Sequence, residues 1–183
     1  MLFAPLLITP ASRPLRCFIV MTSSDILVPV NLEKFSRQGL EFAASVSTEL
    51  PVRVTLLYVV ELNIFPGSCR VYDELSREYL LRLQTLAQYA FNKEPRFCVR
   101  VGKPYEQILA QASESGAELI IMAVSKTPRP KWRFGQTTVE RVVRDAPCLT
   151  LALSDSWKIN AAQYHRMLPA SLLNASPHEL ALQ

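Results

Sequence analysis

The residues with the clearest chemical meaning lie in one stretch. Leu119-Ile120-Ile121-Met122-Ala123-Val124-Ser125 leads into a basic loop, Lys126–Phe134, and then into Gly135-Gln136-Thr137-Thr138-Val139-Glu140-Arg141. The pattern reads as a buried strand, a long loop and the start of a helix. In α/β proteins such a junction holds phosphates, because unpaired backbone N–H groups and the positive end of the helix dipole face the loop. The loop carries Lys126, Arg129, Lys131 and Arg133, together with Trp132. Strand-to-helix connections usually take about 2–6 residues, and longer ones tend to be functional. A backbone cradle for phosphate wants glycine, so that the chain can approach the ligand closely. Here the loop has no glycine before Gly135. Ser125 and Thr137 could hydrogen-bond phosphate oxygens, although Thr137 equally suits a helix N-cap. The cations suit an anion or plain solvent. Trp132 suits stacking on a base or a partner, or anchoring its own loop.

Other chemistries find little support. The only histidines, His165 and His178, lie near the C-terminus. A histidine-based triad inside the preceding domain is therefore excluded. Cys17, Cys69, Cys98 and Cys148 show no CxxC spacing, which points to reduced thiols and away from a metal site or a disulfide framework. Cys98 and Cys148 fall in strand patterns, where burial keeps a thiol unreactive. Glu106 sits where a carboxylate favours the first turn of a helix. No nucleophile has a base near it in sequence, so the residues favour a non-enzymatic role without deciding it. The formal net charge of +4 is a mild excess, much of it in the loop. It implies local anion affinity, not the broad basic stripe of a nucleic-acid binder. No apolar run reaches the roughly 18 residues of a membrane span. The expected setting is the cytoplasm, without membrane or nucleic acid.

The elements that position this stretch follow from periodicity. Asp25–Asn31 is a short apolar run bounded by turn-forming residues, as expected of a strand buried on both faces; Asn31 can cap the next helix. That helix, over 33–49, repeats Phe35, Gly39, Phe42, Ala43, Val46 and Leu50. Val52–Val60 is a β-branched strand, and Glu61–Arg70 a loop with the Pro66-Gly67 turn. A long helix over 72–91 carries the stripe Tyr72, Leu75, Tyr79, Leu83, Leu86 and Ala90, with Asp73, Glu74, Arg77, Glu78 and Arg82 on the solvent side. Arg96–Val101 alternates as a strand. Pro104 opens the third helix and Gly116 closes it, with Ile108, Leu109 and Ala112 inward. Glu118–Val124 is the fourth strand. Thr137–Ala146 forms a helix with Val139, Val142, Val143 and Ala146 inward, and Cys148–Leu153 the fifth strand. Alternating β and α elements predict a parallel sheet covered on both faces. Residues 1–24 form an N-terminal extension, read as disordered or as lying upstream of a natural start at Met21. Residues 25–153 form the domain, and 154–183 a tail with some helical patterning through Trp157, Ile159, Tyr164, Met167 and Leu168.

Over Asp25–Leu153 the chain resembles the universal stress protein family. The resemblance lies in Ile26–Val30, Leu56–Glu61, Gly102-Lys103-Pro104-Tyr105-Glu106-Gln107-Ile108, Ser115–Met122 and Val139–Cys148, in that order and spacing. It implies an α/β three-layer sandwich with a five-stranded, mainly parallel sheet of the adenine nucleotide alpha hydrolase-like kind. It also implies homodimers through the last edge strand, here Leu149–Leu153; an apolar edge is itself a pairing surface. ATP-binding members carry G-x2-G-x9-G-[ST] after the fourth strand. Aligned on Val139–Val142, those positions fall at Ala123, Lys126, Gln136 and Thr137. All three glycines are replaced and the hydroxyl residue is kept. The aspartate that ends the first strand in such members becomes Asn31, which keeps an acceptor and loses the charge. The implied nucleotide-site positions are Pro29, Asn31, Val59, Met122, Ala123, Lys126, Gln136, Thr137 and Thr138. These departures lead us to expect a stress-response regulatory or interaction module with lost or weakened ATP binding, no resident cofactor and an unknown protein partner. The alternative is an ATP sensor in which the basic loop replaces the glycines, with slow ATPase turnover.

Overall fold

The computed structural model describes residues 24–32, 37–61, 69–124, 136–154 and 168. Nine elements alternate among the described residues: β1 Asp25–Pro29, α1 Arg37–Glu49, β2 Arg53–Val60, α2 Cys69–Ala90, β3 Arg96–Val101, α3 Pro104–Ser115, β4 Leu119–Val124, α4 Thr138–Asp145 and β5 Leu149–Ser154. The strands form one sheet of order β3-β2-β1-β4-β5. Every pairing is parallel.

Side-chain alternation along the central strands builds two cores. Ile26, Val28, Leu56, Leu119 and Ile121 point to one face and pack with Phe42, Val46, Leu83 and Ala87 of α1 and α2. Leu27, Leu57, Ile120 and Met122 point to the other face and pack with Ile108, Ala112 and Val142 of α3 and α4. Burying one such leucine or isoleucine contributes about 1.5–3 kcal/mol, so these continuous apolar runs make sense only in strands covered on both sides.

The N-terminal ends of the strands are clamped by polar bonds. Arg53 donates from Nε and Nη2 to the two carboxylate oxygens of Asp25, both at 2.8 Å. Ser24 Oγ donates to Glu118 at 2.8 Å, and Glu118 N to Asp25 O at 2.9 Å. β1 is thereby tied to β2 and β4 at the end of the sheet opposite the carboxyl ends of the strands.

Local signals in the sequence act as expected at several ends. Gly116 adopts φ 63° and ψ 37°, and its N–H reaches back to the carbonyls of α3. Gly102 turns the chain into α3 at φ +139°, a region open essentially to glycine. The charges Asp73, Glu74, Arg77, Glu78 and Arg82 lie toward solvent.

Three expectations change. α2 begins at Cys69, so Cys69 and Arg70 belong to the helix and not to the preceding loop; a helix can wind a turn ahead of its apolar stripe. β1 ends at Pro29, two residues short of Asn31, because the chain must leave the sheet to cross over it. Val143 is 52% exposed. Val139, Val142 and Ala146 already fill the side of this short helix that meets α3 and the sheet, and Val143, one residue past Val142, is rotated about 100° from it.

Candidate functional site

In a doubly wound sheet, ligands bind outside the carboxyl ends of the strands where the strand order reverses. Here that place lies between β1 and β4. α1, which follows β1, covers one face; α4, which follows β4, covers the other. The ladder between β1 and β4 runs over Ile26↔Leu119 and Leu27↔Ile120. Beyond it β1 stays with β2 as far as Pro29↔Leu57, and β4 stays with β5 as far as Val124↔Ser154. The two central strands thus part as hydrogen-bonded neighbours just where a crevice is needed.

Those of the singled-out residues that the structure describes come to this end of the sheet on strands or just past them, or at the opening turn of α4. Pro29 closes β1, half-buried, with exposed Asn31 two residues on. Val59 is half-buried near the end of β2 and packs on the α3/α4 core, in which Met122 is buried. Ala123 faces the other side. A methyl placed on Gly39 of α1 would meet its Cβ at 3.9 Å, so α1 passes close over it. Among the described residues only glycines have positive φ. Ala123 therefore keeps an ordinary extended backbone, and its methyl imposes no strain. Lys126 lies outside the described residues, as do Ser125, Arg129, Lys131, Trp132 and Arg133.

At the far side of the crevice, Thr137 caps α4. Its hydroxyl accepts from Glu140 N at 3.0 Å, and the Glu140 carboxylate accepts from Thr137 N. This reciprocal capping box satisfies two of the groups that a helix N-terminus otherwise leaves open. It also sets a carboxylate at the positive end of the helix dipole. Thr138, the first residue of α4, is half-buried. Exposed Gln136 is held by its side chain: its Oε1 accepts from Arg144 Nη1 at 2.7 Å. Arg144 in turn grips Asp145 through Nε and Nη2, both at 2.7 Å, which holds the Asp145 carboxyl below its usual range.

A second group on the rim was not foreseen. The Arg141 guanidinium lies over the Tyr105 ring, 4.6 Å from its centroid. This joins the N-terminal turns of α3 and α4. Tyr105 Oη donates to Glu106 Oε1 at 2.8 Å, and Lys103 Nζ donates to the same oxygen at 3.1 Å. The tyrosine and lysine hydrogen bonds hold the Glu106 carboxyl below its usual range, and the bond to Glu106 raises Lys103. Only the Lys103–Glu106 spacing was readable in sequence. The Arg141 contact depends on the packing of α3 against α4.

Cys98 lies in β3 and Cys148 one residue before β5, outside the strand expected for it; both are half-buried. Burial raises both Cys98 and Cys148, and Cys98 Sγ donates to Gln111 Oε1 at 3.2 Å. Among the described residues no three His, Cys, Asp or Glu side chains gather as metal ligands. No described helix is long and apolar enough to cross a membrane.

The arrangement is that of a doubly wound α/β protein whose strand order reverses between β1 and β4, the place where such sheets take ligands. Residues 23–153 match the model of the universal stress protein family, and the chain belongs to that family. A search of curated proteins finds no match. Among solved structures, the protein MJ0577, presented as a structure-based assignment of biochemical function, is 18% identical with TM-score 0.57, over 75% of this chain and 98% of that one. A universal stress protein in complex with cAMP is 15% identical with TM-score 0.56, over 73% and 98%. One from Archaeoglobus fulgidus in complex with dAMP is 22% identical with TM-score 0.50, over 72% and 98%. At these identities the likeness concerns the fold.

Proposed function

We propose that this protein is a cytoplasmic, homodimeric regulatory module of the stress response whose nucleotide crevice keeps its adenosine end and has a weakened phosphate end. The observation that carries the reading is the commitment of the α4 N-terminus. The Thr137 N–H is taken by Glu140, and the Gln136 side chain stands exposed where a glycine would bring bare backbone to the ligand, drawn toward Arg144. An incoming triphosphate must compete with a carboxylate already seated at the helix dipole. Pro29, Val59 and Ala123 lie half-buried at the carboxyl ends of their strands, where a nucleoside would rest, with exposed Asn31 just past β1. A thermal-shift series with AMP, cAMP and ATP tests this, since a ligand that binds the native state raises Tm by mass action. Comparable, small shifts for the three nucleotides are expected; protein purified with stoichiometric ATP overturns the reading.

The dimer is proposed to form through Leu149–Leu153. Its support is that Val143 of α4 and Leu149 of β5 are 52% and 46% exposed, next to an edge strand with nothing paired on its outer side among the described residues. Leu149→Lys is expected to yield monomers in sedimentation velocity at concentrations where the parent chain is dimeric. A monomeric parent chain ends the proposal.

A second reading is favoured by the two similar structures solved with dAMP and cAMP. In it the chain is a nucleotide sensor, with Lys126, Arg129 or Arg133 neutralising phosphate in place of the glycines, and with slow ATPase turnover. It predicts that Lys126→Ala weakens ATP binding in calorimetry while leaving adenosine binding unchanged.

A further inference from the structure

The outer side of α2 carries an apolar feature that neither the sheet nor the crevice uses. Leu83 and Ala87 of this helix are buried toward the sheet. Leu81, Thr85 and Tyr89 recur at i, i+4 and i+8 on another side, with Leu81 63% and Tyr89 86% exposed. Beside this stripe Leu32, Glu78, Leu81, Arg82, Thr85 and Leu86 line a groove of about 460 Å³. Among the described residues its charged walls are Glu78 and Arg82, which neutralise each other in an i,i+4 pair. An exposed apolar groove with its charges already paired suits an uncharged, leucine-bearing segment.

We propose that this groove receives the chain's own C-terminal segment, residues 169–183. The anchor is Leu168. It is 6% exposed and belongs to the core cluster beneath α1 and α2. Leu32 and Leu86, two walls of the groove, pack against that same cluster. Leu168 and the groove therefore lie on the same face of the sheet. Fifteen residues follow Leu168, enough to span up to about 50 Å when extended, against roughly 33 Å for the whole of α2. The segment offers Leu172-Leu173 and Leu180-Ala181-Leu182, and Glu179 is its single Asp, Glu, Lys or Arg. Its leucines can enter the groove without stranding a buried charge. Pro169 and Pro177 favour an extended path over a competing helix.

The test uses methyl NMR and limited proteolysis, both without nucleotide, so its outcome is separate from that of the nucleotide reading. Stopping the chain after Leu168 is expected to shift the Leu81 and Leu86 methyl signals, and a synthetic peptide of residues 169–183 added to the shortened chain to restore them. Leu81→Glu changes an exposed side chain and leaves the core intact. It is expected to speed chymotryptic cleavage after Leu172 and Leu173 about tenfold, the factor for losing part of one leucine contact. Leu172→Asp combined with Leu173→Asp should reproduce the methyl signals of the shortened chain. Identical Leu81 and Leu86 signals in the full and shortened chains overturn the proposal. So do signals that move with protein concentration in the shortened chain, which would make a second copy the occupant.

Discussion

Removing the Thr137 hydroxyl separates its two possible roles. In the structure it accepts from Glu140 N at 3.0 Å and is one half of a capping box. Replacing a threonine cap by alanine costs about 1 kcal/mol. α4 has only eight residues, Thr138–Asp145, and a helix this short draws little stability from its own propagation. The lost cap therefore falls on the packing of Val142 against the α3 side. For a domain of this size, about 1 kcal/mol lowers Tm by about 2–4 °C. Thr137→Ser keeps the oxygen and should stay near the parent. Because Glu140 and Thr137 satisfy each other, Thr137→Ala and Glu140→Ala should be less than additive when combined. The assay is differential scanning calorimetry on the four members of the cycle, without nucleotide. A Tm unchanged by Thr137→Ala would refute the capping role and free the hydroxyl for a ligand.

Two glycines should respond in opposite directions. Gly102 sits at φ +139° with a Gln107 nitrogen 3.0 Å from where a Cβ would be, so Gly102→Ala should cost about 1–3 kcal/mol in urea unfolding. Gly39 lies in α1, where a Cβ meets Ala123 and Ile121 only at 3.9 and 4.0 Å; Gly39→Ala should stabilise by about 0.5 kcal/mol. Cys98 and Cys148, both raised by burial, should alkylate slowly with iodoacetamide at pH 7 and rapidly in guanidinium, as followed by peptide mass spectrometry. Glu106 is lowered from 4.5 by its tyrosine and lysine partners. Its contribution is therefore present above about pH 4.5 and is lost as pH falls through its lower folded value. Glu106→Gln should flatten that part of the stability–pH curve and leave the shape of the curve near neutrality unchanged.

The order of elements was open to reading because each signal was local. Short β-branched runs marked the strands, Pro104 opened α3, and Gly116 could close it in the left-handed region. The strand order was not readable. Any of several parallel arrangements satisfies the same apolar runs, and the switch point between β1 and β4 exists only once the order β3-β2-β1-β4-β5 is known. Val143 shows the limit of periodicity. Val139, Val142, Val143 and Ala146 all fit one apolar stripe, and only the width of the contact beneath α4 decides that Val143 faces out. Arg141 over Tyr105, and Arg144 on Gln136, join residues through tertiary or helix-end geometry that spacing does not encode. Leu168, one residue of the patterned tail, joins the core under α1 and α2, a contact that no local signal announces.

The proposed function turns on a strand-end site whose hold on phosphate is weakened. Isothermal titration of the full chain with AMP and with ATP tests it most directly. Each charge-assisted hydrogen bond to an added phosphate would contribute about 1.5–3 kcal/mol, so an intact phosphate cradle would make ATP more than tenfold tighter than AMP. A difference below about tenfold is expected, with both nucleotides binding weakly. A hundredfold preference for ATP would contradict it.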